Sequence, residues 1–210
     1  MKIAITNYGM GNIRSVINAF NAVGYNPIET NSPGVLADAD AIVLPGVGAF
    51  GDGVKNLNEL GLANTLREHV LEQKKPFLGI CLGMHLLATE GREHGHFQGL
   101  DIIPGTVQKL SPTEGWEHLH IPHIGWNNTR ILKPNGLYKG VKNDESFYYL
   151  HSYTFALKDP GMASGTCFYG EDFTASIEHE NIWAAQFHPE KSHKAGLALI
   201  KNWCEHVTQC

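Results

Sequence analysis

The chain has 210 residues, of which 42% are hydrophobic and 18% are charged, so its length and composition predict one domain spanning residues 1–210. Its formal net charge is -5, and its 16 basic residues form no long run, which argues against a basic groove for nucleic acid. No apolar stretch is long enough to cross a bilayer, and the N-terminal MKIAITNYG has too short an apolar core for a signal peptide. We therefore expect no nucleic-acid or membrane partner, a cytoplasmic location, and reduced thiols at Cys81, Cys167, Cys204 and Cys210.

Strand-like and helix-like segments alternate in the first half of the chain. In chain order, the predicted elements are a strand at 2–6, a helix with Ile13, Val16, Ile17 and Phe20 on one face, a strand at 41–44, a helix marked by Leu62, Leu66 and Val70, and a strand at 77–80. This order predicts a largely parallel sheet with helices on both faces.

The second half of the chain is less regular. Its predicted strands are 105–110, 147–151, 163–168, 174–178 and 182–187, and a final helix is expected at 194–206. The connections between these strands are short, so this half is expected to be more antiparallel. Together the two halves predict a single α/β domain.

The segment GICLG at 79–83 predicts a nucleophile at the end of a strand. Its cysteine has a glycine two residues to either side and lies between an apolar strand and a helix-forming run at 84–88, which is typical of a strained strand-to-helix turn. Such a turn lifts the Cys81 thiol above the carboxyl edge of the sheet, at a helix N-terminus that favours the thiolate. The Leu82 amide is then an expected oxyanion donor. The alternative is a cysteine buried in the core.

The segment WAAQFHPE at 183–190 predicts the base. His188 follows a buried strand, so we expect it at the same sheet edge as Cys81, where an imidazole can deprotonate the thiol and later protonate a leaving amine. Glu190 is expected to hold the second ring nitrogen. The chain has 12 histidines, and the alternative for any one of them is a surface position beside a turn. The sequence thus predicts an enzyme whose Cys81 attacks a carbonyl carbon.

Several motifs together resemble class I, or triad-type, glutamine amidotransferases. The motifs GICLGM at 79–84 and QFHPEKS at 186–192 are similar to the nucleophile and base segments of that superfamily. The motifs NYGMGN at 7–12, LPGVGAF at 44–50, PHIGWN at 122–127 and LHSY at 150–153 resemble, more closely, the glutaminase subunits of imidazole glycerol phosphate synthase. The resemblance implies a flavodoxin-like α/β fold with a mixed, mostly parallel sheet and helices on both faces.

The resemblance also implies an activity and a partner. The activity is hydrolysis of the glutamine side-chain amide to glutamate and ammonia, with no cofactor and no metal. The partner is a (β/α)8 cyclase that receives the ammonia in a heterodimer and makes imidazole glycerol phosphate and AICAR in histidine biosynthesis. Two alternatives remain open: a paralogous subunit that supplies ammonia to another synthase, such as one that amidinates a surface sugar, and a weakly active regulatory subunit.

Individual roles carry over from the matching positions. The residues that match the catalytic triad are Cys81, His188 and Glu190. In the turn PGVG at 45–48, Val47 matches the second oxyanion donor and Gly48 a substrate contact, although an ordinary turn after a strand explains these glycines equally well. The residues expected to hold the amino-acid head group of glutamine are Glu93 and, through their backbone, Ser152 and Tyr153. The residues expected to contact the cyclase are Met10, Asn12, His123, Trp126, Tyr148 and Lys191.

Position 85 departs from the family pattern. The family usually has a glutamine four residues after the cysteine, where its side chain meets the substrate, and this chain has His85. An imidazole can still donate and accept, and an unperturbed one titrates at about 6.5. If His85 makes the contact, we expect the Michaelis constant for glutamine to depend on pH between roughly 6 and 8. The alternative is that His85 points away from the pocket and only packs.

Two further patterns are better explained by structural roles than by ligand binding. GMGN at 9–12 resembles half of a dinucleotide-binding fingerprint, but Arg14 replaces its third glycine, so a tight turn before a helix is preferred. Histidines also cluster, at His94 and His96 and at His118, His120 and His123. No cysteine lies near them, and Pro122 and Gly125 indicate loops, so a structural or surface role is expected and not a zinc site.

Overall fold

The structure, a computed structural model, describes residues 1–209. In that range the strands are β1 (Ile3–Thr6), β2 (Ile28–Thr30), β3 (Ala41–Gly46), β4 (Phe77–Cys81), β5 (Ala88–Gly91), β6 (Phe97–Gln98), β7 (Ile103–Lys109), β8 (His123–Ile131), β9 (Glu145–His151), β10 (Tyr153–Leu157), β11 (Ala163–Phe168), β12 (Asp172–His179) and β13 (Ile182–Ala185). The α-helices are α1 (Ile13–Ala22), α2 (Pro33–Ala37), α3 (Phe50–Glu59), α4 (Leu62–Arg67), α5 (Leu82–His85) and α6 (His193–Val207). A π-helical turn at Glu68–Glu72 extends α4, and 3-10 turns lie at Pro160–Met162 and Pro189–Lys191.

A nine-stranded sheet organises the chain, in the order β2-β1-β3-β4-β13-β12-β11-β8-β9. Every neighbouring pair from β2 to β13 is parallel, and every pair from β13 to β9 is antiparallel. A smaller four-stranded sheet has the order β10-β7-β5-β6. The predicted mixed sheet, with its antiparallel strands in the second half of the chain, is confirmed.

Helices cover both faces of the large sheet, because successive residues of each buried strand point to opposite sides. In β1, Ile5 packs in one hydrophobic cluster with α1 and α6, whereas its neighbour Ala4 packs in a second cluster with α3 and α4. Phe20 of α1 and Trp203 of α6 meet edge to face with ring centroids 5.8 Å apart. Burying a side chain of that size contributes roughly 1.5–3 kcal/mol. None of the helices in residues 1–209 is long and apolar enough to cross a membrane.

Three helical segments in the first half differ from the prediction. The sequence analysis predicts neither α2 nor α3, and the helix expected at 84–88 is wrong, because α5 ends at His85 and β5 begins at Ala88. The run fails as a longer helix because Leu86, Leu87 and Ala88 are all fully buried, with no polar face left for solvent. The carbonyl of Leu87 instead accepts the N–H groups of Ile102 and Ile103, each at 2.9 Å.

Strand β8 also departs from the prediction, because Pro122 and Gly125 indicate loops in the sequence. Pro122 lies just before the first residue of the strand, where its missing N–H removes no ladder bond. Gly125 has φ of 132° and is accommodated inside the strand. The strand pairs with β9 on one side and β11 on the other, so it joins the outer strands to the rest of the sheet.

The parallel strands place three chain segments at one edge of the sheet. Strand β4 lies between β3 and β13, and Gly46 of β3 pairs with Cys81 while Ala185 of β13 pairs with Ile80. Because these strands run in the same direction, the residues that follow them emerge side by side. The turn after β3, the residue Cys81 and the segment leading to His188 therefore meet at this edge.

Candidate active site

The Cys81 thiol lies on a strained turn at the end of β4. Cys81 has φ of 53°, a left-handed conformation that costs a non-glycine residue on the order of 1–3 kcal/mol. The flanking glycines make the turn possible. A Cβ on Gly79 would lie 3.0 Å from the carbonyl oxygen of Gly83, and a Cβ on Gly83 would collide with the carbonyl oxygen of Leu44. Helix α5 begins at the next residue, so the sulfur lies at its start.

His188 is held at the same edge, with Glu190 behind its ring. The Nδ1 atom of His188 and Oε1 of Glu190 are 2.8 Å apart, and the two side chains are only 2% and 3% exposed. The backbone is fixed as well, since the His188 N–H donates to the carbonyl of Tyr148 at 2.9 Å and its carbonyl accepts from the Ser192 hydroxyl at 2.6 Å. An ionised Glu190 can only accept, so Nδ1 carries a proton. The Nε2 atom is buried and has no hydrogen-bond partner within residues 1–209.

The electrostatic surroundings of His188 favour its charged form. Burial by itself lowers the pKa of the ring, but the negative charges of the Cys81 sulfur and of Glu190 outweigh burial and raise that pKa to about 10. A positively charged ring is stabilised by its charge-assisted hydrogen bond to the Glu190 carboxylate. The ring therefore holds a proton at neutral pH and can give it to a leaving group.

A pocket of about 170 Å³ opens at the thiol. Its lining residues are Val47, Gly48, Cys81, Leu82, His85, Glu93, Pro122, Leu150, His151, Ser152 and Tyr153. The pocket thus brings together every residue expected at the substrate or the oxyanion, whereas His188 is 1% exposed and does not line it. Clefts elsewhere are larger, at about 650 and 880 Å³, but no cysteine lines them. The presence of the Cys81 thiol, and not the volume, favours this pocket as the active site.

The turn after β3 lies between the nucleophile and the loop 9–12. The residue before Val47 pairs with Cys81, which puts the rest of the turn beside the thiol. Gly48 has φ of 133°, and a Cβ there would collide with the methyl group of Met10. The loop 9–12 therefore packs directly on the turn that is expected to supply an oxyanion donor.

Comparison with known sequences identifies the family. The family model for glutamine amidotransferase class-I matches residues 4–207. The chain belongs to the class-I glutamine amidotransferase family. It is 46% identical to imidazole glycerol phosphate synthase subunit HisH of Syntrophotalea carbinolica, over 96% of this chain and 98% of that one. It is 44% identical to the subunit of the same name from Geobacter sulfurreducens, over 97% of this chain and 98% of that one. The resemblance inferred from the sequence motifs is confirmed.

Solved structures of the family share the fold. A structure titled glutamine amidotransferase superposes with a TM-score of 0.75 at 18% identity, covering 98% of both chains. A chain of PurLQS from Thermotoga maritima gives a TM-score of 0.73 at 15% identity, again covering 98% of both. At these identities the likeness concerns the fold alone. The predicted class-I amidotransferase-like α/β fold is confirmed.

His85 lines the pocket of this amidotransferase, so the alternative in which it points away is wrong. Its Nε2 atom lies 2.7 Å from Oε1 of Gln186. The residue is only 5% exposed, and burial lowers the pKa of His85 to about 4 although the bond to Gln186 acts in the opposite direction. A ring with this pKa is neutral throughout the range from roughly pH 6 to 8, so the structure argues against a titration of His85 there.

Three groups at the nucleophile were not predicted. Gln186 donates from Nε2 to the Cys81 sulfur over 4.0 Å, the sulfur donates to the carbonyl of Leu150 at 3.7 Å, and His151 lines the pocket. Gln186 left a signal in the sequence, because an amide inside the apolar run WAAQF needs partners when it is buried. Leu150 and His151 lie within the motif LHSY, which carries the family resemblance but does not show that they lie at the Cys81 pocket.

His123 is buried within the chain, which makes its expected role at the partner interface wrong. It is 2% exposed, its ring stacks on Tyr149 and Tyr169 with centroids 5.0 and 3.9 Å away, and its Nδ1 lies 3.0 Å from Nε2 of His151. Burial also lowers the pKa of His123 to about 4, so the ring is neutral near pH 7. The alternation of strand β8 turns this side chain inward, where no partner can contact it.

The other clustered histidines lie on the surface. Exposed positions are occupied by His94, His96, His118 and His120. His96 lies 2.6 Å from Glu90, in a contact at the surface of the protein. Among residues 1–209 no group of three or more histidine, cysteine or acidic side chains is arranged to hold a metal ion.

Three of the residues expected to contact a partner form one surface patch. Trp126 is 47% exposed and its ring lies 6.0 Å from that of Tyr148, while Nζ of Lys191 lies 5.7 Å from the centroid of Tyr148. Trp126 also stacks on His193 at 4.8 Å. We call these four residues the Trp126 patch. An exposed tryptophan at such a patch is typical of a protein interface.

The neutral state of His85 gives a first testable prediction. The ring gains a proton only as pH falls toward about 4, so its charge does not change between roughly pH 6 and 8. The Michaelis constant for glutamine should therefore follow parallel pH profiles in the wild-type protein and in His85→Gln across that range. Steady-state glutaminase kinetics measure both profiles. A pH-dependent component present in the wild type and lost in His85→Gln would contradict the prediction.

Proposed function

We propose that this chain is the glutaminase subunit of an imidazole glycerol phosphate synthase. The observation that carries the proposal is the meeting, at one sheet edge, of the Cys81 thiol, the buried His188–Glu190 pair and a pocket of about 170 Å³. Relatives named HisH, 44–46% identical over nearly the whole chain, support the assignment to this synthase. The chain, 1–210, would act as one domain in the cytoplasm, with glutamine as substrate and no cofactor.

The first half-reaction begins with the thiolate of Cys81 attacking the carboxamide carbon of glutamine. The electron pair of the C=O bond moves to oxygen, and the resulting oxyanion accepts hydrogen bonds from the backbone N–H groups of Val47 and Leu82. The imidazolium of His188 gives its Nε2 proton to the amide nitrogen, which leaves as ammonia. The product of this step is a thioester between glutamate and Cys81.

The second half-reaction reverses the direction of proton transfer. Neutral His188 takes a proton from water, and the hydroxide attacks the thioester carbon. Collapse of that intermediate breaks the C–S bond, releases glutamate and restores the thiolate beside an imidazolium. Glu190 keeps the proton on Nδ1 through both halves, so that Nε2 always faces the reacting groups. Glu93 and the backbone of Ser152 and Tyr153 are proposed to hold the amino-acid head group of glutamine. Gly48 and His85 are proposed as further substrate contacts, and all five residues line the pocket.

The ammonia would pass to a (β/α)8 cyclase that uses it to make imidazole glycerol phosphate and AICAR. We propose that the cyclase binds the Trp126 patch and the loop 9–12, which carries Met10 and Asn12. The exposed Trp126 ring supports the first contact. The packing of Met10 against Gly48 supports the second, because a partner that moves this loop also moves the oxyanion turn.

Replacement of the nucleophile tests the proposed chemistry. Cys81→Ser should abolish glutamine hydrolysis and leave the fold and partner binding intact, because the change removes the thiolate and keeps the size of the side chain. A glutamine-analogue alkylator, followed by mass spectrometry, should label Cys81 before the other cysteines. Cys167 and Cys204 are buried, and burial raises the pKa of each thiol to about 12, while Cys210 lies outside the described residues. Labelling of Cys167 or Cys204 ahead of Cys81 would overturn the assignment.

The packing of the loop 9–12 on the oxyanion turn predicts control by the partner. One oxyanion donor is worth about 2.7–4 kcal/mol, or a hundred- to thousand-fold in rate. If the Val47 amide is aimed only in the complex, the isolated subunit should hydrolyse glutamine very slowly, and the cyclase with its ligand should raise the rate by at least about a hundred-fold. The rates are measured with and without the cyclase, with Cys81→Ser as a blank. Full activity of the isolated subunit would contradict control by the turn, and no activity in either state would favour a regulatory subunit.

A further inference from the structure

Gln186 lies between the nucleophile and His85. The residue is fully buried, and its side-chain amide reaches both neighbours, with Oε1 2.7 Å from His85 Nε2 and Nε2 4.0 Å from the Cys81 sulfur. Its backbone N–H is already used, since it donates to the carbonyl of Ala175 at 2.8 Å in the sheet. The backbone thus holds Gln186 in place while its amide connects two residues of the pocket.

The sulfur of Cys81 determines which end of the amide faces it. In the thiol form, the single S–H donates to the carbonyl of Leu150, so only lone pairs remain for Gln186. In the thiolate form the sulfur has no hydrogen at all. In both states the sulfur can only accept from Gln186, which must therefore present its NH2 group to Cys81 and its carbonyl oxygen to His85.

This orientation fixes the tautomer of His85. A carbonyl oxygen only accepts, so the Nε2 atom of His85 must carry the proton of the neutral ring. The Nδ1 atom then has a lone pair. It makes no hydrogen bond within residues 1–209, is not fully enclosed, and belongs to a side chain that lines the pocket. The ring thus offers the pocket a hydrogen-bond acceptor and no donor.

We propose that Gln186 is a positioning residue that holds His85 in its Nε2–H tautomer, so that Nδ1 accepts a hydrogen bond from an N–H group of the bound amino acid. The role in substrate binding rests on the proposed glutaminase function. Glutamine has two such groups, its α-ammonium and its carboxamide, and glutamate keeps only the first. A glutamine at position 85 could turn its amide and offer either a donor or an acceptor, whereas His85 held by Gln186 selects for N–H donors.

The tautomer can be observed directly, without any activity. Two-bond proton–nitrogen NMR spectra of the 15N-histidine-labelled chain distinguish the two neutral forms, and the His85 signals are assigned by their loss in His85→Gln. The wild type should show the Nε2–H form, Gln186→Met should show a mixture, and Gln186→Glu, which keeps an oxygen acceptor, should retain the Nε2 proton. The matched control is Gln73→Met, because Oε1 of Gln73 lies 2.7 Å from Nδ1 of His69 and does not contact His85.

An Nδ1–H form of His85 in the wild type, or an unchanged tautomer in Gln186→Met, would overturn the proposal. An Nδ1–H form in the wild-type spectrum overturns the proposal by itself, so the proposal can be refuted whether or not a Gln186 variant folds. Because these spectra need no substrate, they decide the tautomer even if the chain has no glutaminase activity.

Kinetics test whether Gln186 acts on the substrate through His85. Gln186→Met should raise the Michaelis constant for glutamine several-fold to about tenfold, which is the worth of one neutral hydrogen bond. In the His85→Gln background the same change should raise it far less, since the residue that Gln186 orients is gone. Equal increases in both backgrounds would overturn the proposal. Inhibition by glutamate identifies which N–H group donates to His85. If Gln186→Met weakens glutamate binding as much as it raises the Michaelis constant for glutamine, the donor is the α-ammonium group. If the affinity for glutamate is unchanged, the donor is the carboxamide.

Discussion

The parallel pairing of β4 with β3 and β13 is the constraint on which the rest of the site depends. This register alone puts Gly46 opposite Cys81 and Ala185 opposite Ile80, so the oxyanion turn, the nucleophile and the strand leading to the base end together. A shift of one residue in either pair would turn each side chain to the other face of the sheet. The two hydrophobic clusters on opposite faces oppose such a shift, since it would turn Phe77 and Leu78 of β4 toward the wrong helices.

Charge buried at this edge explains why the surroundings of His188 are so tightly fixed. The side chains of His188 and Glu190 are nearly inaccessible, and removing one partner of such a pair typically costs 3–5 kcal/mol. Backbone bonds to Tyr148 and Ser192 hold the ring before any substrate binds. This arrangement costs stability, and it keeps a proton ready beside the thiol. Gln186, which also contacts the sulfur, is proposed to fix the neutral ring of His85 in a comparable way.

The sequence predicted the parts of the site that depend on neighbouring residues. The glycines around Cys81 and the strand before His188 act within a few positions, so their consequences could be read locally. Contacts between distant segments could not be predicted: His85 and Gln186 are 101 positions apart, and the burial that lowers the pKa of His85 exists only once the chain has folded. Strand β8 was missed for a similar reason, because its pairing with β9 and β11 outweighs the local signals of Pro122 and Gly125.

The central claim is that His188 carries the proton for Cys81, with Glu190 as its support. The turnover number of the complex for glutamine in His188→Ala tests it most directly, with the exposed His94→Ala as a control. General acid–base catalysis is worth about 10²- to 10⁴-fold, so His188→Ala should lose at least this much, Glu190→Gln should lose less, and His94→Ala should lose nothing. Wild-type turnover in His188→Ala would contradict the account.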